Sequence, residues 1–109
     1  ALFYPDYLLH HPDDSRAHQF YAFTLLRLGW MEEAKAEMQK GIAQNPKDPI
    51  IVYNAACFYA LIGDNEAAIE NLKTAMDNGF ENYDYLMHDP DLNSLKTESE
   101  FIAITEGKD

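Results

Sequence analysis

Apolar and small residues recur along this chain every three to four positions, the spacing of one helix face. Residues 14–28 carry His18, Tyr21, Ala22, Leu25 and Leu28 at such intervals, and Gly29 ends the run. Residues 31–44 place Met31, Ala34, Met38, Gly41 and Ile42 together, closed by Asn45-Pro46 because the residue before proline is pushed out of the helical region. Residues 49–62 repeat the first pattern with Val52, Ala55, Ala56, Tyr59 and Ile62, then Gly63. Asp64 is a good N-cap for residues 65–78, which turn Ala68, Ile69, Leu72, Ala75 and Met76 inward before Asn78-Gly79. The pattern predicts an all-α chain with two helix pairs at its centre.

The two pairs are copies in register. Ala22/Ala56, Gly29/Gly63, Glu32/Glu66 and Ala34/Ala68 are each 34 residues apart, as are Pro12 and Pro46. These identities fall where a helix-turn-helix is sterically tight. Small residues let paired backbones approach, so packing explains the repeat without a ligand. The ends differ. Residues 2–11 match the end of a second helix, with Tyr4/Met38/Leu72 and Leu8/Ile42/Met76 at the same offset. Beyond residue 80 the spacing shortens. A turn of helix is expected at Asp84–His88, another short helix from Asp89-Pro90-Asp91 to Leu95, and a last one over 98–105 behind the capping box Thr97-Glu98-Ser99-Glu100. Leu86, Leu92, Leu95, Phe101, Ile102 and Ile104 are expected to form a lid, since a repeat buries its apolar face only against a neighbour. The expected organisation is one domain over 1–109: the end of a leading helix at 1–12, repeats at 13–46 and 47–80, and capping helices at 81–109.

These residues resemble the tetratricopeptide repeat family, whose pattern is W-x2-L-G-x2-Y, then A-x3-F, then P, in 34 residues. The first copy reads His18-x2-Tyr21-Ala22-x2-Leu25, Ala34-x3-Met38, Pro46. The second reads Val52-x2-Ala55-Ala56-x2-Tyr59, Ala68-x3-Leu72, with Phe80 in place of the proline. Leu28-Gly29-Trp30-Met31-Glu32-Glu33-Ala34 is similar to the family's turn into its second helix. The stretch from Gly79 to Ile104 is similar to the tail that closes such repeats in many bacterial multidomain proteins. The resemblance implies a right-handed superhelix of helix-turn-helix repeats, an α-solenoid. It also implies a concave groove lined by the first helix of each repeat, where a partner protein is held.

On the face opposite the core, the first copy carries Arg16, Gln19, Phe20, Phe23 and Arg27. The second carries Ile50, Tyr53, Asn54, Cys57 and Leu61 at the same positions. Aromatic and apolar residues with arginine are common anchors at interfaces. The groove expected to bind a partner is therefore Arg16, Gln19, Phe20, Phe23, Arg27, Tyr53, Asn54, Cys57 and Leu61. The alternative is that Phe20, Phe23 and Tyr53 pack against the leading helix or the cap. The family's clamp for a terminal carboxylate needs lysines, an arginine and asparagines; only Asn54 matches, and Asp84 would repel the ligand, so that use is excluded. Trp30 stands where the second copy has the capping Asp64. An indole cannot accept from a helix N-terminus, so Trp30 either lies on the adjacent surface or makes a convex-side contact.

Charge narrows the partner. The chain carries 19 acids and 8 bases, a net −11, with the excess towards the C-terminus. Nucleic acid and anionic membranes are poor partners for such a surface. An apolar or basic protein segment suits it. No apolar run reaches the roughly 18 residues of a membrane span. His10-His11 point about 100° apart on a helix and cannot readily share an ion. No metal-ligand spacing, phosphate-binding glycine loop or nucleophile elbow occurs, so no metal, cofactor or enzymatic activity is expected. Cys57, in an alanine-rich helix, reads as packing. One cysteine and no signal-type leader fit a cytoplasmic setting. The chain begins without methionine, as an excised fragment would. The reading is a scaffold that binds a peptide or helix of another protein. The alternative is a regulatory or oligomerising segment of a longer bacterial signalling or enzymatic chain, self-association included.

Overall fold

The computed structural model describes the backbone of residues 3–81 and 83–106 and the side chains of 7–81 and 85–103. Every regular element among them is helical. Packing divides the chain into two compact units, Ala1–Pro46 and Lys47–Asp109.

The first unit holds α1 (Phe3–His10), α2 (Ser15–Arg27) and α3 (Met31–Gln44). Asp14 starts α2 by accepting from the Ala17 amide at 3.0 Å. Gly29 stops it. With φ of +86° it lets Gly29 N–H donate to Leu26 O (3.0 Å) and Trp30 N–H to Leu25 O (2.9 Å), the paired bonds of a Schellman turn. The returning α3 packs along α2. Ala22, Ala34 and Met38 are fully buried and Leu25 nearly so. At the far end Asn45 donates to the Ser15 hydroxyl at 2.7 Å.

The second unit repeats the plan with α4 (Pro49–Leu61) and α5 (Asn65–Asp77). Asp48 and Pro49 begin α4, Gly63 ends it in the same Schellman turn, and Asp64 caps α5. Ala55, Ala56, Ala68, Leu72 and Ala75 are fully buried. Then come α6 (Tyr83–His88), a 3-10 helix (Pro90–Leu95) and α7 (Ser99–Glu106). The 3-10 helix lies against α4 and α5, and α7 against α5. Leu86, Leu92, Leu95 and Phe101 are buried to 1% or less, forming the lid that the leucine spacing indicates. Ser94 fixes it by donating to Ala60 O and Asn65 Oδ1.

Some expectations need correction. Leu28 and Met31, read as inward, are 50% and 43% exposed: they flank a turn that leaves the helix interface. Ile102 is also exposed rather than part of the lid. Helix α7 starts at Ser99, so Thr97 is not its cap. Glu98 instead accepts from Asn65 at 3.2 Å. The side chains of Tyr4, Asp84 and Ile104 lie outside the described residues.

Gly41 is a point of close approach within the first pair. A Cβ there would meet the Ser15 carbonyl and Gln19 Cγ at 3.1 Å. Gly41→Ala gains about 1 kcal/mol of helix propensity. The clash with backbone costs about 2–3 kcal/mol, so a net loss of about 1–2 kcal/mol is expected in urea unfolding.

Candidate partner-binding cleft

The second unit builds an open apolar cleft from three local causes. Gly79, at φ of +111°, turns the chain back after α5 and delivers Phe80 onto α4. Phe80 stacks on Tyr53 with ring centroids 4.4 Å apart and planes 10° apart. Tyr85, from α6, tilts against Tyr53 at 5.8 Å. The resulting cavity of about 410 Å³ is lined by Pro49, Ile50, Tyr53, Asn54, Gly79, Phe80, Glu81 and Tyr85. Tyr53 and Phe80 form its buried floor; Ile50 (45% exposed) and Tyr85 (56%) stand at its rim.

Beneath the floor sits Asp89, a buried carboxylate. The Tyr53 hydroxyl donates to its Oδ2 at 2.5 Å, and the Cys57 thiol points at the same oxygen at 3.6 Å. Its Oδ1 accepts from the Asp91 amide at 3.0 Å, capping the 3-10 helix. One side chain thus joins α4 to the lid. Cys57, Asp89 and Asp91 bring ligand-type atoms within 4.8 Å of one another. However, Asp89 Oδ2 is already engaged by two donors, so an ion would have to displace them. Burial, then the bond to Asp89, pushes the Tyr53 hydroxyl far above its ordinary range. Burial, then the charges of Asp89 and Asp91, does the same to the Cys57 thiol. Burial, followed by the Asp89 charge, also raises Asp91. Cys57 is thereby kept as a neutral thiol, the wrong form for a nucleophile.

The residues expected to form a groove do not share one environment. Gln19 is buried against α3, its amide against the Met38 sulfur at 3.5 Å, because Gly41 admits it there. Tyr53 and Cys57 are buried against Asp89. These three are corrected from surface to interior. Arg16, Phe20, Arg27 and Leu61 are exposed, and Phe23 and Asn54 half-buried. Trp30 is 52% exposed at the start of α3 and makes no capping bond through its side chain. Asp89 as the central tie, and Phe80, Glu81 and Tyr85 as cleft residues, escaped the repeat-based reading. The signal available was Asp-Pro-Asp, which marks a capped helix start but not what the cap touches.

The helix-turn-helix register and its two Schellman turns fit a match found by comparison: the model of the tetratricopeptide repeat covers residues 15–48 and 51–77. The chain belongs to the tetratricopeptide repeat family. Its fold class is therefore the helical solenoid, and repeats of this family generally mediate protein–protein interaction. A chloroplastic protein of Arabidopsis thaliana is similar, 28% identical over 76 residues. That similarity takes in 67% of this chain but only 23% of the relative's length. No solved structure matches. Among the described residues of this tetratricopeptide chain, no helix is long and apolar enough to cross a membrane.

The buried thiol and phenol set the alkaline limit. The unfolded chain gives up these protons above about pH 8.5 (thiol) and pH 10 (phenol). The folded second unit retains them. Their contribution is thus complete below about pH 8.5 and is lost as pH rises, by up to about 1.4 kcal/mol per pH unit for each group. Urea unfolding between pH 7 and 10.5 should show this decline. Cys57→Ala should delay its onset, and Tyr53→Phe should weaken it above pH 10.

Proposed function

We propose that the chain is a protein-interaction module whose second unit takes an apolar or aromatic side chain of a partner segment into the Ile50–Tyr85 cleft. The observation that carries this is the cleft itself: an aromatic floor held rigid from below, with apolar side chains left standing at its rim. Pockets of this kind accept anchor residues. The partner segment is basic beside its anchor. Glu81 is at the cleft, and residues 47–109 carry 13 acids against 4 bases, a net −9. The same excess of acids argues against nucleic acid as partner. The module works by binding and not by catalysis, consistent with the neutral, buried Cys57.

A second reading is favoured by one observation, that the chain spans 23% of its chloroplastic relative. In that reading it is a regulatory or self-associating segment of a longer protein, with Phe20 of the first unit and Trp30 as contact residues. Sedimentation of the 109-residue chain separates the two: a monomer favours the first, a dimer abolished by Phe20→Glu the second.

The first reading predicts selective capture. A labelled twelve-residue amphipathic peptide of leucine, phenylalanine and lysine should bind, and its glutamate counterpart should not. Tyr85→Glu or Ile50→Glu should weaken binding at least tenfold by fluorescence anisotropy. Equal binding of both peptides, or full affinity in both variants, would overturn it. Raised salt should weaken only the charge-dependent part.

A further inference from the structure

The cleft of the second unit is electron-rich as well as apolar. Tyr53, Phe80 and Tyr85 bring three aromatic rings to it, and Glu81 is the one charged side chain among its described lining residues. Beneath the floor lies the Asp89 carboxylate, with an Asp91 carboxylate oxygen within 4.8 Å. An aromatic ring carries negative potential on its face. The Tyr53 hydroxyl donates to Asp89 at 2.5 Å, and donation to a carboxylate pushes electron density back into the ring, which deepens that potential. The Asp89 charge, ahead of burial, holds the Tyr85 hydroxyl above its ordinary range, so the field of this carboxylate reaches the rim.

The ring geometry gives this field a place to act. Tyr53 and Tyr85 meet at 48° with centroids 5.8 Å apart. A cation is drawn to a ring from within about 6 Å of its centroid. A cation in the angle between these two rings is therefore within reach of both, with Glu81 bordering the same cleft. The form of the cation matters. A lysine ammonium has three N–H donors and is strongly hydrated, so seating it against ring faces strands donors that water had satisfied. A trimethylated ammonium keeps the charge and has no N–H. Its methyl groups meet the rings and the Ile50 side chain with little lost.

Given that this cleft is the partner site, we propose that it reads a quaternary ammonium: a trimethylated lysine of the partner segment, beside the apolar anchor, seated between Tyr85 and Tyr53 near Glu81. The anchor supplies apolar contact, and the methylated head supplies a charge that the aromatic walls recognise without hydrogen bonds.

The test compares three forms of the twelve-residue leucine-phenylalanine-lysine peptide against the intact chain by fluorescence anisotropy. Their lysines are unmodified, trimethylated, or replaced by a neutral isostere ending in a tert-butyl group. The first two carry equal charge, so long-range attraction to an acidic unit is the same for both. The trimethylated form should bind about fivefold tighter than either of the others. Tyr85→Leu, which keeps an apolar side chain but removes the ring, should erase that preference. Binding of the unmodified peptide as tight as that of the trimethylated one would overturn the proposal, and so would an unchanged preference in Tyr85→Leu. Equal binding of the neutral isostere would overturn it too, while leaving the apolar cleft as the partner site. Failure of all three peptides to bind would overturn both. If Tyr85→Leu fails to fold, the three peptides on the parent chain decide alone.

Discussion

The close approach of two antiparallel helices is the constraint from which the rest of each unit follows. Helices joined by a short turn bury their facing stripes only if the residues between them are small. Ala22 and Ala34 in one pair, and Ala56 and Ala68 in the other, meet this need with no exposed surface at all. The turn must also reverse the chain without wasting backbone bonds. Gly29 and Gly63, both at φ of +86°, do so because a residue without a Cβ adopts that conformation at little cost. Once the pair closes, positions 38 and 72 become core, and the outward positions are free to vary.

A helix pair closed in this way still exposes one flank, and the second unit shows what that demands. Its flank is covered by short elements rather than another full pair: the 3-10 helix and α7, rich in buried leucine and phenylalanine. Short helices have little stability of their own. Asp89 supplies the missing definition by capping the 3-10 helix with one oxygen and receiving Tyr53 with the other. The same bond fixes Tyr53 as the floor on which Phe80 stacks. The element that closes the core thus also shapes the cleft beside it, and the proposed binding surface is a by-product of how the repeat is finished.

The 34-residue register made the helix pairs, their turns and most of their core legible in the sequence. Those features depend on local spacing and on glycine, alanine and aspartate at fixed points. The face of α4 was not legible, because Pro49-Ile50-Ile51-Val52-Tyr53 and Ala55-Ala56-Cys57-Phe58-Tyr59-Ala60-Leu61 are apolar on every side and periodicity assigns them no outside. Gln19 misled for a different reason. A polar residue beside the apolar stripe reads as surface, and only the absence of a side chain at Gly41 makes room for it inside. Asp89 was visible as a cap but not as a partner of Tyr53, 36 residues away, since nothing in a single sequence links them. The bond between His18 and Glu37 escaped notice for the same reason, being a contact across 19 residues.

The central claim is that a partner segment seats in the second unit over Tyr53 and Phe80. The most direct measurement is a set of intermolecular nuclear Overhauser effects between the intact chain and an isotopically labelled leucine-lysine peptide. The account predicts contacts from one apolar peptide side chain to the Ile50 methyls and the Tyr53, Phe80 and Tyr85 rings, with a neighbouring lysine near Glu81. Contacts confined to Phe20, Phe23 and Trp30 in the first unit would contradict it.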